Sequence, residues 1–243
     1  MINSLSIVLP LYNEEKRLPK LFNQIKKFSN KQKYNIEFIF VDDGSIDKSF
    51  ALLVKFKKES LKEIKIKIIT YKRNKGKGYA IKTGVLSSKN EWVLTMDIDM
   101  SVSFNQINTW VSKKLIVKGN YIFFGSRAVK GSKTIAKKYR IFTGTIFNFL
   151  LRLIIKKNFL KINDTQCGFK LYNKKIIKNI FKNIKEYGYI HDVEILIIIR
   201  KNEYIVNELP VNWLHQEGSK INIIRDSVKM FFDLIKLKLR HKL

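Results

Sequence analysis

The stretch Trp92-Val93-Leu94-Thr95-Met96-Asp97-Ile98-Asp99 combines a short apolar run with two aspartates that lie one residue apart. An apolar run of this length, ended by polar residues, predicts a buried β-strand from Trp92 to Met96. Both carboxylates would then lie at the carboxyl end of that strand. Two hard oxygen ligands at this spacing can hold Mg²⁺ or Mn²⁺, although an isolated Asp-x-Asp pair is more often only a polar turn.

The segments on either side repeat this arrangement of strand and polar end. Apolar runs predict four further strands, at Leu5–Leu9, Ile36–Val41, Ile64–Tyr71 and Tyr121–Gly125. Apolar residues at helical spacing predict helices between them, at Leu18–Phe28, Phe50–Phe56, Tyr79–Leu86 and Phe104–Val117. Strands that alternate with helices indicate βαβ units. The predicted fold is therefore an α/β domain with a mostly parallel sheet flanked by helices.

Polar clusters follow the first four strands. They are Tyr12 to Glu14, the pair Asp42 and Asp43, the basic loop Arg73 to Gly78, and the aspartates at 97 and 99. Ligands bind beyond the carboxyl ends of the strands in such sheets, so these clusters predict one site. Within Asp42 to Ser45, one residue is expected to cap the next helix, and the other carboxylate to face the cleft. The basic loop is either a phosphate- or base-binding loop or a solvated turn.

The second half of the chain is less regular. A helical stretch is predicted from Ile135 to Ile155, a loop from Asp164 to Lys170, a helix near Asp192 to Arg200 and a strand near Tyr204 to Leu209. A basic helix follows, with its apolar stripe at Ile224, Val228, Phe231 and Ile235. That stripe would either bind a membrane surface or pack on the domain. No linker or repeat is visible, so we predict one domain over residues 1–220 and a basic amphipathic helix over 221–243.

The composition of the 243 residues excludes several classes of protein. A hydrophobic fraction of 45% excludes intrinsic disorder, and Cys167 as the only cysteine excludes a disulfide scaffold and fits a reducing compartment. No signal peptide and no apolar stretch of spanning length is visible, so we expect a cytoplasmic location. The net charge of +28 would attract phosphates on a nucleotide, an anionic lipid or a nucleic acid, although codon bias could supply part of it.

Together these motifs resemble family 2 glycosyltransferases of the GT-A fold, and more narrowly their polyprenyl-phosphate (dolichyl-phosphate) β-glucosyltransferase branch. The resemblance spans nearly the whole chain, with its motifs in order. The matching segments are Val8–Glu15, Val41–Ser45, Asn74–Ala80, Asp97-x-Asp99, Gly125–Arg127, Asp164–Lys170, Asp192–Glu194, Trp213 and Gly218–Lys220. The string Asp164-Thr165-Gln166-Cys167-Gly168-Phe169-Lys170 is the part that points to the lipid-phosphate branch.

The resemblance implies metal-dependent transfer of glucose, with inversion, from UDP-glucose to a polyprenyl (dolichyl or undecaprenyl) phosphate. Residues 1–126 would bind the nucleotide sugar, and residues 127–220 the acceptor. The implied nucleotide-sugar residues are Pro10, Tyr12, Glu14, Asp42, Asp43, Lys75, Lys77, Asp97 and Asp99, of which Asp97 and Asp99 would hold Mg²⁺ or Mn²⁺. The implied acceptor residues are Arg127, Arg140, Gln166, Gly168 and Lys170. Asp99, Arg127, Arg140 and Asp192 are expected to take part in catalysis.

Two departures from the family pattern affect these expectations. Met100 and Ser101 follow the second aspartate, where family members often carry a small residue, so the third metal ligand stays open. We also expect no N-terminal anchor of the kind that many relatives carry. Attachment to the cytoplasmic face of an anionic membrane, as a peripheral protein, would then fall to the helical stretch from Phe142 to Leu153 and to the basic terminal helix.

The acceptor chemistry separates the main interpretation from its alternatives. A phosphate monoester is already an anion at neutral pH, so it needs positioning more than a general base. We therefore expect Asp99→Ala to abolish transfer and Asp192→Ala only to weaken it. The alternatives are a GDP-mannose-dependent polyprenyl-phosphate mannosyltransferase, a transferase to a saccharide hydroxyl with Asp192 as base, an inactive scaffold, and a nucleic-acid-binding protein. Asp97 and Asp99 would repel a nucleic-acid backbone, so we expect no nucleic-acid partner.

Overall fold

The computed structural model describes residues 2–32, 34–60, 64–117, 119, 121–135, 151, 155, 162–188, 190–216 and 223–243, with side chains from 230 onward in the last range. Several predictions lie outside these residues. They concern Arg140, most of the helical stretch from Ile135 to Ile155 with its part from Phe142 to Leu153, the segment Gly218 to Lys220, and the side chains of Ile224 and Val228.

In the described part of the chain, seven strands form the main sheet. They are β1 (Ser4–Leu11), β2 (Asn35–Asp42), β3 (Lys65–Thr70), β4 (Trp92–Thr95), β5 (Ile122–Ser126), β7 (Lys170–Asn173) and β8 (Asn207–Pro210). Their order across the sheet is β3-β2-β1-β4-β7-β5-β8. All neighbours pair in parallel except β7, which runs antiparallel between β4 and β5. Two short strands, β6 (Lys133–Ile135) and β9 (Asn212–Leu214), form a second, parallel sheet.

Helices cover both faces of the main sheet. They are α1 (Leu18–Ser29), α2 (Ser49–Ser60), α3 (Lys77–Leu86), α4 (Asn105–Ser112), α5 (Lys174–Phe181), α6 (His191–Lys201) and α7 (Ile223–His241). Successive side chains of a strand point to opposite faces, so Ile7 packs with α1, α2 and α4, whereas Val8 packs with α3, α5 and α6. The predicted class, a mostly parallel α/β sheet between layers of helices, is confirmed. Within the described residues, no helix is long and apolar enough to cross a membrane.

Three predicted elements differ from the structure. The helix predicted from Phe104 to Val117 stops at Ser112, and Lys114 takes a left-handed φ of 53° that ends the helical run. The loop predicted from Asp164 to Lys170 leads into β7 at Lys170, and α5 follows directly. The strand predicted near Tyr204 to Leu209 is confined to Asn207–Pro210.

The antiparallel strand β7 decides which segments meet. Because it runs against its neighbours, its first residue, Lys170, pairs with Thr95 of β4 and Phe124 of β5. The preceding segment, residues 164–169, therefore reaches the edge where the parallel strands end. The predicted convergence of the strand-end clusters on one edge is confirmed by this topology, and the segment 164–169 joins them there.

Candidate active site

The two aspartates lie in the turn that follows β4. Asp97 is about one-third exposed, with 36% of its side chain accessible, and Asp99 is also partly exposed. An Asp99 carboxylate oxygen accepts a hydrogen bond of 2.9 Å from the Ser101 N–H, and Met100 between them has a left-handed φ of 58°. Residues other than glycine rarely adopt this conformation, so the turn has an unusual backbone shape at Met100. It leaves two carboxylates open at the carboxyl edge of the sheet.

Lys77, the first residue of α3, brings a positive charge to this turn. Its Nζ lies 2.5 Å from Oδ1 of Asp97. Although 41% of the Lys77 side chain is exposed, its partial loss of hydration would lower its pKa, but the charges of Asp97, Asp192 and Asp99 raise the pKa above its ordinary value. The side chain is therefore a charged ammonium at neutral pH, and it lies on the carboxylate that the resemblance assigns to the metal.

The basic loop before α3 is fixed by Asp43. The Asp43 carboxylate accepts hydrogen bonds of 2.8 Å from the N–H groups of Lys75 and Gly76, and of 2.9 Å from the Asn74 side chain. Burial nevertheless raises the pKa of Asp43. Gly76 has a φ of 101°, and a Cβ there would lie 2.4 Å from the Tyr187 carbonyl oxygen, so the loop requires glycine at this position.

Asp42 and Asp43 do not divide their roles as predicted. Asp42 is also buried and accepts from the Ser45 N–H and the Thr70 hydroxyl. The predicted helix cap between Asp42 and Ser45 is wrong, because α2 begins only at Ser49, whose N–H donates to Asp47. Both carboxylates therefore shape the loops of the site, and contact of either one with a nucleoside stays a prediction.

The loop after β1 lies against the loop after β2. The Asn13 N–H donates to the Ser45 hydroxyl, and the Asn13 side-chain oxygen accepts from the Ile46 N–H, at 2.9 and 2.8 Å. Among the implied nucleoside residues, Pro10 is buried within β1, Tyr12 is exposed at its end, and Glu14 is ion-paired with Arg17. The structure brings these residues to the same edge as the aspartate turn, and their contact with a nucleoside stays a prediction.

Arg127 directly follows β5, and its guanidinium forms a bidentate ion pair with the carboxylate of Asp164. Its Nε and one terminal nitrogen donate to the two carboxylate oxygens at 2.7 and 2.8 Å, and its backbone N–H donates at 2.9 Å. These bonds and the Arg127 charge lower the pKa of Asp164 although burial would raise it. The guanidinium also lies 5.6 Å from the centre of the Trp213 ring. Asp164 is the first residue of the string Asp164–Lys170, and nothing in the sequence pairs it with Arg127.

Lys170 and Asp192 form a buried ion pair. Lys170 is 1% exposed, and its ammonium contacts the Asp192 carboxylate and the Thr165 carbonyl oxygen. Burial would raise the pKa of Asp192, but His191, Lys170 and Lys77 lower it. A carboxylate with a lowered pKa is a poor proton acceptor. Contact of Lys170 with an acceptor stays a prediction, and in this structure its ammonium lies inside the protein.

Gly168 joins the segment before β7 to the aspartate turn. A Cβ placed on Gly168 would lie 2.6 Å from an Asp97 carboxylate oxygen, so any side chain at this position would have to displace that carboxylate. The Thr95 hydroxyl donates to the Gly168 carbonyl at 3.1 Å, which fixes the approach. The neighbouring Gln166 is partly exposed. The acceptor segment implied by the resemblance therefore directly contacts the implied metal ligand.

The residues at this edge fit a divalent cation in part. No group of three His, Cys, Asp or Glu side chains that could hold a metal is found in the described part of the chain. Asp97 and Asp99 nevertheless offer two accessible carboxylates, and Asp97 already attracts the Lys77 ammonium. A cation held by two carboxylates, with its other ligands from a bound diphosphate and water, is a common arrangement for Mg²⁺.

A cavity of about 280 Å³ lies elsewhere, where β2 and β3 begin, with Tyr34, Lys65 and Asn90 in its wall. Of the residues that the structure describes, no Asp or Glu lines this cavity, and it lies at the opposite edge of the sheet from the aspartates. Ligands of α/β sheets bind at the carboxyl edge, so we place the candidate site at Asp97 and Asp99.

Comparison with known proteins agrees with this geometry. The family model of glycosyl transferase family 2 matches residues 6–181. The dolichyl-phosphate β-glucosyltransferase of Dictyostelium discoideum is 33% identical over 248 residues, which cover 98% of this chain and 75% of that enzyme. The enzyme of the same name from Homo sapiens is 32% identical over 254 residues, with the same coverage.

A solved structure shares the fold. Glucosyl-3-phosphoglycerate synthase from Mycobacterium tuberculosis, crystallised with Mn²⁺, UDP and glucosyl-3-phosphoglycerate, superposes with a TM-score of 0.71 over 98% of this chain and 80% of that one. Its sequence identity of 15% limits this likeness to the fold. The family match, the relatives that align with 98% of this chain and the shared GT-A architecture lead to one conclusion: the chain belongs to glycosyltransferase family 2 and is a glycosyltransferase.

Proposed function

We propose that the chain transfers glucose from UDP-glucose to a polyprenyl phosphate, with inversion at the anomeric carbon and with Mg²⁺ or Mn²⁺ as cofactor. The observation that carries the proposal is the contact of Gly168 with Asp97, because it joins the implied acceptor segment to the implied donor site. The names of the relatives, which are dolichyl-phosphate β-glucosyltransferases, support the donor sugar and the acceptor class. The Mn²⁺ and UDP in the related solved structure support the cofactor and the nucleotide.

On the donor side, Asp97 and Asp99 would hold the cation, which when bound would neutralise charge on the departing UDP. Lys77 lies within reach of the same place, and its ammonium would supply a further positive charge to the diphosphate. The loop from Asn74 to Gly76, fixed by Asp43, would hold Lys75 and Lys77 in register with the donor.

On the acceptor side, Arg127 would orient the phosphate, and Asp164 fixes the plane of its guanidinium. A phosphate oxygen attacks the anomeric carbon, the bond from that carbon to UDP breaks, and UDP leaves with the bonding electrons. The acceptor carries its negative charge already, with a second pKa of about 6, so no proton has to be removed. The lowered pKa of Asp192 favours this acceptor over a saccharide hydroxyl, which would need a base.

The acceptor class also suggests where the enzyme works. A polyprenyl phosphate is anchored in a bilayer, so the enzyme would act at a membrane surface. We propose peripheral attachment on the cytoplasmic face of an anionic membrane. The net charge of +28 favours such a surface through attraction of basic side chains to anionic lipid.

The product decides between this proposal and its rivals. Purified protein would be incubated with labelled UDP-glucose or GDP-mannose, Mg²⁺ or Mn²⁺, and a short polyprenyl phosphate, and the extracted lipid analysed by mass. We expect glucosylated polyprenyl phosphate with UDP-glucose and no sugar-lipid product with GDP-mannose. A mannosyl lipid from GDP-mannose would favour the mannosyltransferase, and no sugar-lipid from either donor, together with salt-sensitive duplex binding, would favour a nucleic-acid binder.

A further inference from the structure

Helix α7 packs on the domain with one face. Leu234 and Leu237 are buried in the core that also contains α6. Beside them, Arg240 and His241 approach the fully buried carboxylate of Glu194 at 3.3 and 3.0 Å. Glu194 in turn accepts from the N–H groups of Lys185 and Glu186 at 2.7 and 2.6 Å. The inner face of α7 is therefore fixed to the body of the protein by apolar packing and by charge.

The outer face of the same helix is also apolar. Phe231, Phe232, Ile235 and Leu239 are 38%, 56%, 36% and 73% exposed, and they form what we call the α7 stripe. Phe231, Ile235 and Leu239 follow one another at intervals of four residues, which places them on one side of a helix. A helix that packs on its domain with one side normally turns polar residues outward, and a second apolar side is typical of a surface that binds a partner.

Lysines border the α7 stripe on both sides. With about 100° of rotation per residue, Lys238 lies beside Phe231 on one border and Lys236 beside Phe232 and Leu239 on the other. Lys236 is exposed and Lys238 partly exposed. An apolar stripe bordered by lysines is typical of helices that lie in the interface of a bilayer, with aromatic and aliphatic side chains in the lipid and lysines at the headgroups.

We propose that the α7 stripe docks the enzyme on an anionic lipid bilayer, with the helix axis parallel to the membrane plane. This proposal assigns the membrane contact of the proposed function to one surface of the protein. It rests on the proposed function only because the lipid-linked acceptor explains why the enzyme would bind a membrane. A second copy of the chain fits the stripe less well. A symmetric dimer through α7 would bring the lysines of both copies together, and each copy carries a net charge of +28.

Docking through α7 would also orient the active site. The Lys185–Glu186 turn held by Glu194 precedes Tyr187, whose carbonyl accepts from the Gly78 N–H at 2.9 Å. Gly78 follows Lys77 at the start of α3. Because α7 is fixed to Glu194, its docking in the bilayer interface would also fix the orientation of Lys77 and the start of α3 relative to the membrane.

Vesicle binding tests the proposal without requiring transfer activity. The protein would be sedimented with vesicles of phosphatidylcholine alone or with phosphatidylglycerol added, at low and high salt. We expect binding to the anionic vesicles and a loss of at least about tenfold in the Phe232→Ser/Leu239→Ser variant, since binding scales with buried apolar area. Lys236→Gln/Lys238→Gln should weaken binding to anionic vesicles and reduce its dependence on salt.

Val54→Ser/Val117→Ser is the matched control, because both are exposed apolar residues of the α2 and α4 layer, on the face of the sheet opposite α7. It should bind vesicles like the wild type. Unchanged vesicle binding by Phe232→Ser/Leu239→Ser would overturn the proposal, as would a wild-type dimer in solution that this variant dissociates. The variants should retain transfer to a short, water-soluble polyprenyl phosphate. Normal vesicle binding without any transfer would instead count against the proposed function alone.

Discussion

The ammonium of Lys77 and the carboxylate of Asp97 lie 2.5 Å apart, which pairs the first residue of α3 with the first aspartate of the turn after β4. The two residues follow β3 and β4, which are not neighbours in the sheet, and they meet at its carboxyl edge. A cation that binds Asp97 has to compete with this ammonium, and a diphosphate at the same place would attract it.

We therefore expect opposite effects of Lys77→Met on two affinities. Mn²⁺ binding to the free protein should become tighter, because a competing positive charge is removed. UDP-glucose binding in the presence of Mn²⁺ should become weaker by about tenfold, because the diphosphate loses a charged partner. Mn²⁺ titration followed by electron paramagnetic resonance and calorimetry with UDP-glucose measure the two affinities.

Lys72→Met is the control for that prediction, since Lys72 is an exposed lysine near the same loop without a described role in the site. It should change neither affinity. Weaker Mn²⁺ binding in Lys77→Met would show that Lys77 supports the cation site instead of competing for it.

Gly168→Ala should displace the Asp97 carboxylate, because the new Cβ would lie 2.6 Å from it. The Asp97 side chain is short, so it can avoid the new Cβ only by turning its carboxylate away from its present position. We expect a loss of about tenfold or more in transfer rate and a weaker Mn²⁺ site, with a cost of about 1–3 kcal/mol in the free energy of unfolding.

Gly188→Ala is a matched control, since the nearest atom to its new Cβ would be 3.9 Å away. This variant should keep both transfer and Mn²⁺ affinity. Normal transfer by Gly168→Ala would mean that the segment before β7 does not set the position of Asp97.

Arg127→Gln should cost stability in a manner that depends on pH. The pKa of Asp164 lies below its ordinary value, so its pair with Arg127 stabilises the fold above that ordinary pKa, about 4, and the contribution is lost as pH falls through the lowered value. We expect a difference of about 2 kcal/mol in the free energy of unfolding at pH 7, and a smaller one at pH 3.

Urea unfolding of the wild type and Arg127→Gln at the two pH values measures this difference. Arg127→Lys keeps the charge but not the paired geometry, and it should lie between them. A difference that stays constant with pH would show that Asp164 is not the group involved.

Asp192→Ala should lower the stability of the fold. The weakened transfer expected from sequence would then reflect this loss of stability and not the loss of a catalytic group. Removing this carboxylate leaves the Lys170 ammonium buried without its ion-pair partner, at a cost of about 3–5 kcal/mol. The double variant Lys170→Met/Asp192→Ala removes both charges and should recover much of that loss.

Urea unfolding of Asp192→Ala, Lys170→Met and the double variant gives the coupling energy between the two residues. Additive losses would contradict a direct ion pair. Transfer is then compared only among variants that are folded at the assay temperature.

The elements that sequence predicted well are those with long periodic patterns. The first four strands and the three helices between them are found close to their expected bounds, because each buries a regular apolar face. Strand β7 has four residues and follows an aperiodic segment, so periodicity could not identify it. The helix after the aspartate turn was predicted too long, since nothing in the sequence marked Lys114 as left-handed.

The site was predictable in its parts but not in its pairings. Strand ends placed the aspartates and the basic loop at one edge of the sheet. The pairing of Arg127 with Asp164, and that of Lys77 with Asp97, depends on the position of β7 and on the approach of α3 to β4. Such contacts join distant segments, and only the folded chain determines them.

We propose that Asp97 and Asp99 hold the cation and the donor diphosphate during transfer. The most direct test is the initial rate of glucosyl transfer from UDP-glucose to a short polyprenyl phosphate, for the wild type and a folded Asp99→Ala variant, with Mn²⁺ and after EDTA. We expect the variant to be inactive and EDTA to abolish the wild-type rate. A near-normal rate in Asp99→Ala, together with a wild-type rate that EDTA leaves unchanged, would contradict this proposal.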